Sequence, residues 1–485
     1  MRVLTLFTLR QKIGLNLSFQ NSAKGWVGDK WGVAPNFIDV VGMVGRRQHG
    51  VSYSCTVVTI CIMRFLAFIW CFMGLAALAG CERSSDSSAD APTKTSVTLL
   101  HHYLGAIEME AGNFTRQSAQ YELKVAGLHR VAFKFRTSDI VQSEYPPDIY
   151  AYWAGARTAA AVPALEPLDD IWKQERLAEK LSPNLVRALT QENGHRYMIP
   201  FIQSHVAFFY NKKVFDANGL KPPATWSEFL AVCDALKARG VVPLALGNKN
   251  SWPAQFWFDL LLLRMQPYEF REQLMAGTVR YDDPKVMEVF ERWLDLIQRG
   301  YFTPDPNDLK WDAAAATVYN GQAGMILMGS WIIGHFQNKV PRWEGGRDFD
   351  FFRFPIIDAQ LPVVDLGSVD GFVVPKKALN LEGAKKALAF FSTAQAQQRL
   401  SSSTGSFAPN RTVPKAFYSE MQNRLAQEHM QSHAYAFHYD LATSPVVSSL
   451  GVAAIADFLA FPKAYPRILK ELSRDAEEAF KQAER

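Results

Sequence analysis

Ile199-Pro-Phe-Ile-Gln-Ser-His-Val-Ala-Phe-Phe-Tyr-Asn-Lys-Lys-Val-Phe-Asp-Ala-Asn-Gly-Leu-Lys-Pro-Pro-Ala-Thr-Trp-Ser-Glu-Phe229 is the stretch on which the fold turns. Its first half is an apolar run of strand character, and Gly219 and the Pro222-Pro223 pair then end the local structure. Thr225 opens a helix, with Glu228 three residues on in a capping-box arrangement. Val241-Val-Pro-Leu-Ala-Leu-Gly247 follows as a buried strand ending in glycine. Two helical segments, Gln255 to Arg264 and Lys285 to Arg299, precede Gly324-Met-Ile-Leu-Met-Gly-Ser-Trp331, again strand into loop. Upstream, Val97 to Tyr103, Tyr121 to Ala126 and Pro147 to Trp153 are β-rich runs separated by helix-like stretches. The alternation predicts an α/β fold with a parallel sheet covered by helices. Ligands of such sheets bind beyond the carboxyl ends of strands, which makes the loops after Tyr103 and Trp153 candidate site segments. No internal repeat is present.

At 485 residues the chain exceeds one comfortable core, so two domains are expected. Hydrophobic residues at 48% and charged residues at 20% give enough apolar surface to fold and exclude a mostly disordered chain. The net charge of +5 points to nucleic acid only until it is located. Residues 1–80 hold eight Lys/Arg against Asp29 and Asp39, leaving 44 basic and 45 acidic residues in the remainder. The folded part is near neutral, and no nucleic-acid partner is expected. Four cysteines, Cys55, Cys61, Cys71 and Cys81, lie at or before residue 81. Cys233 alone remains in the body, in an amphipathic helical pattern that makes it a buried apolar side chain rather than a nucleophile.

Arg64 supplies a short positive region, Phe65 to Ala77 an apolar run, and Leu78-Ala-Gly-Cys81 a site of small residues ending in cysteine. The pattern resembles a bacterial lipoprotein signal over 63–80, with Cys81 as the lipid anchor. The run is shorter than the ~20 residues that a spanning helix needs. Residues 81–95, polar and rich in small side chains, read as a flexible tether. Met63 is the expected true start, which makes residues 1–62 an upstream extension. The expected location is outside the cytoplasmic membrane, lipid-anchored, in a periplasm or at the cell surface.

The order of segments from Val97 onward resembles the extracellular solute-binding proteins of ABC-type carbohydrate importers, the class that includes the maltodextrin-binding proteins. Phe209-Tyr-Asn-Lys-Lys-Val-Phe215, Pro222-Pro-Ala-Thr-Trp-Ser-Glu-Phe229 and Trp252 carry it. So do Tyr319-Asn-Gly-Gln-Ala-Gly-Met-Ile-Leu-Met-Gly-Ser-Trp331 and Gly371-Phe-Val-Val-Pro-Lys376. The resemblance implies two α/β lobes around an interlobe ligand cleft, closing by hinge motion. Residues 96–204 with 366–420 would form lobe 1, and 205–365 with 421–485 lobe 2. It also implies a small-molecule sugar as ligand, the permease subunits of an importer as partners, and neither catalysis nor a cofactor. A monomer is the default expectation.

A sugar presents hydroxyl rims and apolar faces, so its site needs aromatic platforms beside planar donors and acceptors. Trp153, Trp252 and Trp331 occur where strands give way to turns, and the resemblance places Trp331 in the cleft. Core packing is the competing reading for each Trp. Arg157 suits two vicinal hydroxyls with its planar fork, although a solvated surface position is equally open to it. Asp370, at an expected crossing, accepts hydroxyl hydrogens or simply starts an Asp-Gly turn. Tyr103, Gln203, Ser204 and Arg411 complete the candidates, with Asn410 a weaker neighbour. His101 and His102 alternate across a strand and do not chelate together. His102 would face ligand while His101 packs behind. No metal site is expected.

An extracellular glycosidase needs two carboxylates flanking the bond, and neither Asp169-Asp170 nor Asp282-Asp283 is persuasive. A glycerol phosphoester ligand would favour several cationic groups, of which only Arg157 and Arg411 present themselves.

Overall fold

The computed structural model describes residues 93–103, 105–128, 139–140, 143–191 and 193–483. The expected extension over 1–62, the signal over 63–80, Cys81 and most of the tether over 81–95 lie outside the described residues.

Nine described strands form one sheet: β1 (Thr95–His101), β2 (Tyr121–Gly127), β3 (Ile149–Trp153), β4 (Ile199–Asn211), β5 (Val242–Ala245), β6 (Ala323–Gly329), β7 (Phe349–Phe352), β8 (Asp365–Val373) and β9 (Tyr435–Phe437). The order runs β2-β1-β3-β8-β4-β6-β5, with β7 on β4 and β9 on β8. β1 is parallel to β2 and β3, and β5 is parallel to β6. β8 runs antiparallel to β3 and β4, and β4 antiparallel to β6 and β7. The sheet is therefore mixed, which corrects the expectation of a parallel one. Local alternation reports only the short crossovers, whereas β8 arrives from far along the chain and inserts between β3 and β4.

The described residues pack around two cores, and the molecule is two-lobed. One core gathers Val97 to Ile202 with Val369 to Leu400, Tyr435 and Leu441. The other gathers Val206 to Leu366 with segments from Phe407 onward. β4 and β8 thus pass from one core to the other, at 203–205 and 367–368. A third passage lies between Leu400 and Phe407. Gln203 and Phe407 exchange backbone hydrogen bonds of 2.8 and 2.9 Å, which ties Phe407 to β4 beside this passage.

Tyr435 holds the two main crossings together, its hydroxyl donating to the carbonyls of Ser204 (2.8 Å) and Ser368 (3.0 Å). Gly367 makes this possible, because a Cβ there would collide with the Ser204 carbonyl and the Tyr435 hydroxyl. Gly367→Ala is expected to destabilise the protein by about 1–3 kcal/mol, the usual cost of overpacking a rigid site. A urea midpoint indistinguishable from that of the parent would contradict this.

The sequence signals at the second lobe have their expected physical form. The helix Trp226–Ala238 begins with a full capping box, the Thr225 hydroxyl accepting from the Glu228 amide and the Glu228 carboxylate from the Thr225 amide. Cys233 is fully buried on that helix, and burial pushes its thiol pKa well up, so it is inert packing. Behind the helix Gln255–Met265 an ion pair is sealed from solvent: Arg271 donates to Asp259 at 2.7 and 3.2 Å. Asp259 also accepts from the Tyr439 amide at 2.8 Å.

Candidate ligand-binding cleft

On the first lobe the end of β1 brings His102 and Tyr103 beside Trp153 and Asp370, which face each other in the β3–β8 register. The His102 ring lies 4.3 Å from Tyr103 and 4.7 Å from Trp153. The Tyr103 hydroxyl donates to the Asp370 carboxylate, and His102 Nε2 is 4.0 Å from the same oxygen. Four candidates named from sequence therefore converge. His101 is fully buried behind them, its Nδ1 accepting from the Tyr103 amide at 3.1 Å, and burial lowers its pKa.

Two residues past Trp153 the chain turns at Gly155, whose φ of 98° is a left-handed conformation suited to glycine. A Cβ there would strike the Leu441 carbonyl, so this turn sits directly against the segment that carries Asp440. The turn launches the helix Ala156–Ala161, which carries Arg157 inward. Arg157 is only 7% exposed and its Nε has no hydrogen-bond partner among the described residues. It lines a cavity of about 470 Å³ with Tyr152, Asn250, Ser251, Asp440 and Ser448, residues of both lobes. Burial raises the pKa of the Tyr152 hydroxyl, and the nearby Arg157 charge partly offsets this, so the phenol remains a neutral donor.

The second lobe contributes an aromatic wall. Buried Asn248 fixes the loop after β5, its side chain accepting from the Ala254 amide at 3.1 Å and donating to Asn307 at 2.9 Å. This presents Asn250, Ser251 and Trp252. Trp252 lies 5.9 Å from Trp331, 5.7 Å from Phe256 and 6.3 Å from Trp311. Trp331 follows β6 and lies 6.1 Å from both Phe256 and His438. Trp252 and Trp331 are half-buried, as platforms are, whereas Trp153 is almost wholly buried.

Other candidates fall elsewhere. The Ser204 hydroxyl is spent on the crossing, 2.8 Å from the Ser368 hydroxyl and accepting from the Ser368 amide. Gln203 and Arg411 line a separate cavity of about 1170 Å³. Asn410 is buried and occupied, donating to the Ser392 carbonyl and accepting from Thr412. For Gln203 the physical reason is strand alternation: successive residues of β4 face opposite sides of the sheet, so proximity in sequence to a crossing does not place a side chain in the cleft. Asn250 and Ser251 were within reach of sequence reading, as the two residues before Trp252. His438 and Asp440 were not, because nothing local marks them.

Two lobes sharing a sheet, with a cavity lined by residues of both and a buried guanidinium on its wall, define a receptor for a small solute. A profile of the bacterial extracellular solute-binding proteins matches residues 134–398, more than half the chain, and the chain belongs to that family. It is an exported protein. An ABC transporter extracellular-binding protein of Pyrococcus horikoshii is 31% identical over 368 residues, covering 72% of this chain and 80% of the relative. A probable sugar-binding periplasmic protein of Rhizobium meliloti is 30% identical over 196 residues, or 40% of this chain and 45% of its own length. The solved structure of the bacterial solute receptor AcbH, described as exclusive for β-D-galactopyranose, is 27% identical with a TM-score of 0.68. It covers 80% of this chain and 99% of the other.

Proposed function

We propose that this protein captures a mono- or short oligosaccharide between its lobes and delivers it to the permease subunits of an ABC importer, without acting on it chemically. The observation that carries the reading is the cavity lined by both lobes, where buried Arg157, whose Nε has no hydrogen-bond partner among the described residues, meets Asn250 and Ser251, the two residues before half-buried Trp252. Hydroxyls satisfy the guanidinium fork, and the pyranose C–H face lies on the indoles. In this reading Asn250, Ser251 and Asp440 add short polar contacts, and the His102, Tyr103, Trp153 and Asp370 cluster of the first lobe supplies further ligand contacts. The carboxylate of Asp440 in the same cavity opposes an anionic phosphoester. The sugar-binding descriptions of the relatives support the same ligand class. In this reading Cys81 carries the lipid that holds the receptor at the membrane, and the receptor acts as a monomer.

A thermal-shift screen of the form lacking residues 1–81, against mono-, di- and oligosaccharides and glycerol phosphodiesters, tests the proposal. A sugar at 100 times its Kd is expected to stabilise the protein by about 2.7 kcal/mol. A shift with phosphodiesters alone would overturn the sugar assignment, and turnover of the sugar would overturn the absence of chemistry.

A further inference from the structure

Three buried side chains meet at the crossings, on the sheet face occupied by the 1170 Å³ cavity. His205 comes from β4, Asp365 from β8, and His429 from the helix Glu420–Met430. His205 Nδ1 lies 2.6 Å from one Asp365 oxygen, and His429 Nδ1 is in contact with the other. The imidazole rings stack with centroids 4.4 Å apart. One ligand atom from each residue fits within a 4.8 Å span, and all three residues line the cavity. His429 Nε2 is buried with no hydrogen-bond partner among the described residues, which marks a polar group that the protein itself does not satisfy.

From this geometry we infer that His205, Asp365 and His429 form a site for one divalent transition metal ion, with its open coordination position facing the cavity. Two imidazole nitrogens and a carboxylate oxygen are the donor set that such ions take when a fourth position is left for solvent or solute. Bonds of about 2.0–2.2 Å to zinc put tetrahedral ligand atoms roughly 3.3 Å apart, so the cluster needs to open only slightly to admit the ion. Arg264 and Arg353 place positive charge near the cluster, with Glu428 the nearby acid. Those guanidiniums disfavour ions held by charge alone, such as calcium and magnesium, and favour imidazole-seeking metals. The sequence reading missed the site because its ligands are 160 and 64 positions apart, with no ligand spacing to find.

The full-length protein in mild detergent, stripped with EDTA and dialysed, would be titrated with ZnCl2, NiCl2 and CaCl2, and retained metal counted by mass spectrometry. One equivalent of zinc or nickel and no calcium is expected, with cobalt giving the visible absorption of a tetrahedral site. His205→Gln and His429→Gln should each weaken zinc binding at least tenfold while keeping the parent's circular dichroism. Should either variant fail to fold, the parent's stoichiometry and cobalt spectrum decide by themselves. No retained zinc or nickel in the parent, or unchanged affinity in two folded variants, overturns the site. The readout contains no sugar and is independent of the solute reading.

Discussion

Replacing Arg157 by Met is expected to lower solute affinity about a hundredfold while leaving the fold intact. Hydrogen bonds to a charged donor contribute about 1.5–3 kcal/mol each, so two to a sugar hydroxyl pair reach the ~2.7 kcal/mol that a hundredfold change requires. The fold should tolerate the change. Met replaces the aliphatic stem, and Arg157 Nε forms no hydrogen bond among the described residues that its loss would break. Arg157→Lys should fall between, since an ammonium is a point charge without the fork. Titration calorimetry with the sugar found in the thermal-shift screen is the measurement. Parent-like affinity in the Met variant would remove Arg157 from the cleft.

The second large effect concerns the sealed pair behind that cleft. Asp259→Leu is expected to cost about 3–5 kcal/mol in stability, because it leaves the Arg271 charge buried with its main partner gone. The remaining contacts of Arg271, the Phe437 carbonyl at 2.6 Å and the half-exposed Glu272 at 3.2 Å, do not replace it. Asp259→Leu combined with Arg271→Met should recover most of the loss, since no uncompensated charge remains. Urea unfolding of the parent and both variants tests this. A single variant within 1 kcal/mol of the parent, or a double variant worse than the single, would contradict it. The Tyr439 amide donates to Asp259, and its neighbour Asp440 lines the cavity with Arg157, so the single variant should also bind solute more weakly.

What could be read from the sequence was local. The capping box at Thr225, the burial of Cys233 and the strands that end at His101, Trp153 and Gly329 each rest on neighbouring residues, and the chain displays them. β7 and β9 passed unread because they are four and three residues long and exist only through pairing with β4 and β8. The antiparallel placement of β8 was equally hidden. The candidates at strand ends, His102, Tyr103, Trp153 and Asp370, lie together in the structure because loops after neighbouring strands meet at one end of the sheet. Asp440 and His438 reach the cleft from the last segment of the chain by packing alone. Gln203 and Arg411 line the other cavity, a placement that depends on long-range packing and that no local signal displays.

The insertion of β8 between β3 and β4 also governs the order in which the chain becomes structured. Until residues 365–373 arrive, β3 and β4 have no common partner and each leaves an unpaired edge. The entropy of closing so long a segment must be met before the central pairing returns anything, which makes assembly of the sheet slow. During that interval the half-made sheet can pair with another chain. Aggregation of nascent or refolding protein should therefore be governed by how fast β8 docks, and little by the stability of the finished lobes.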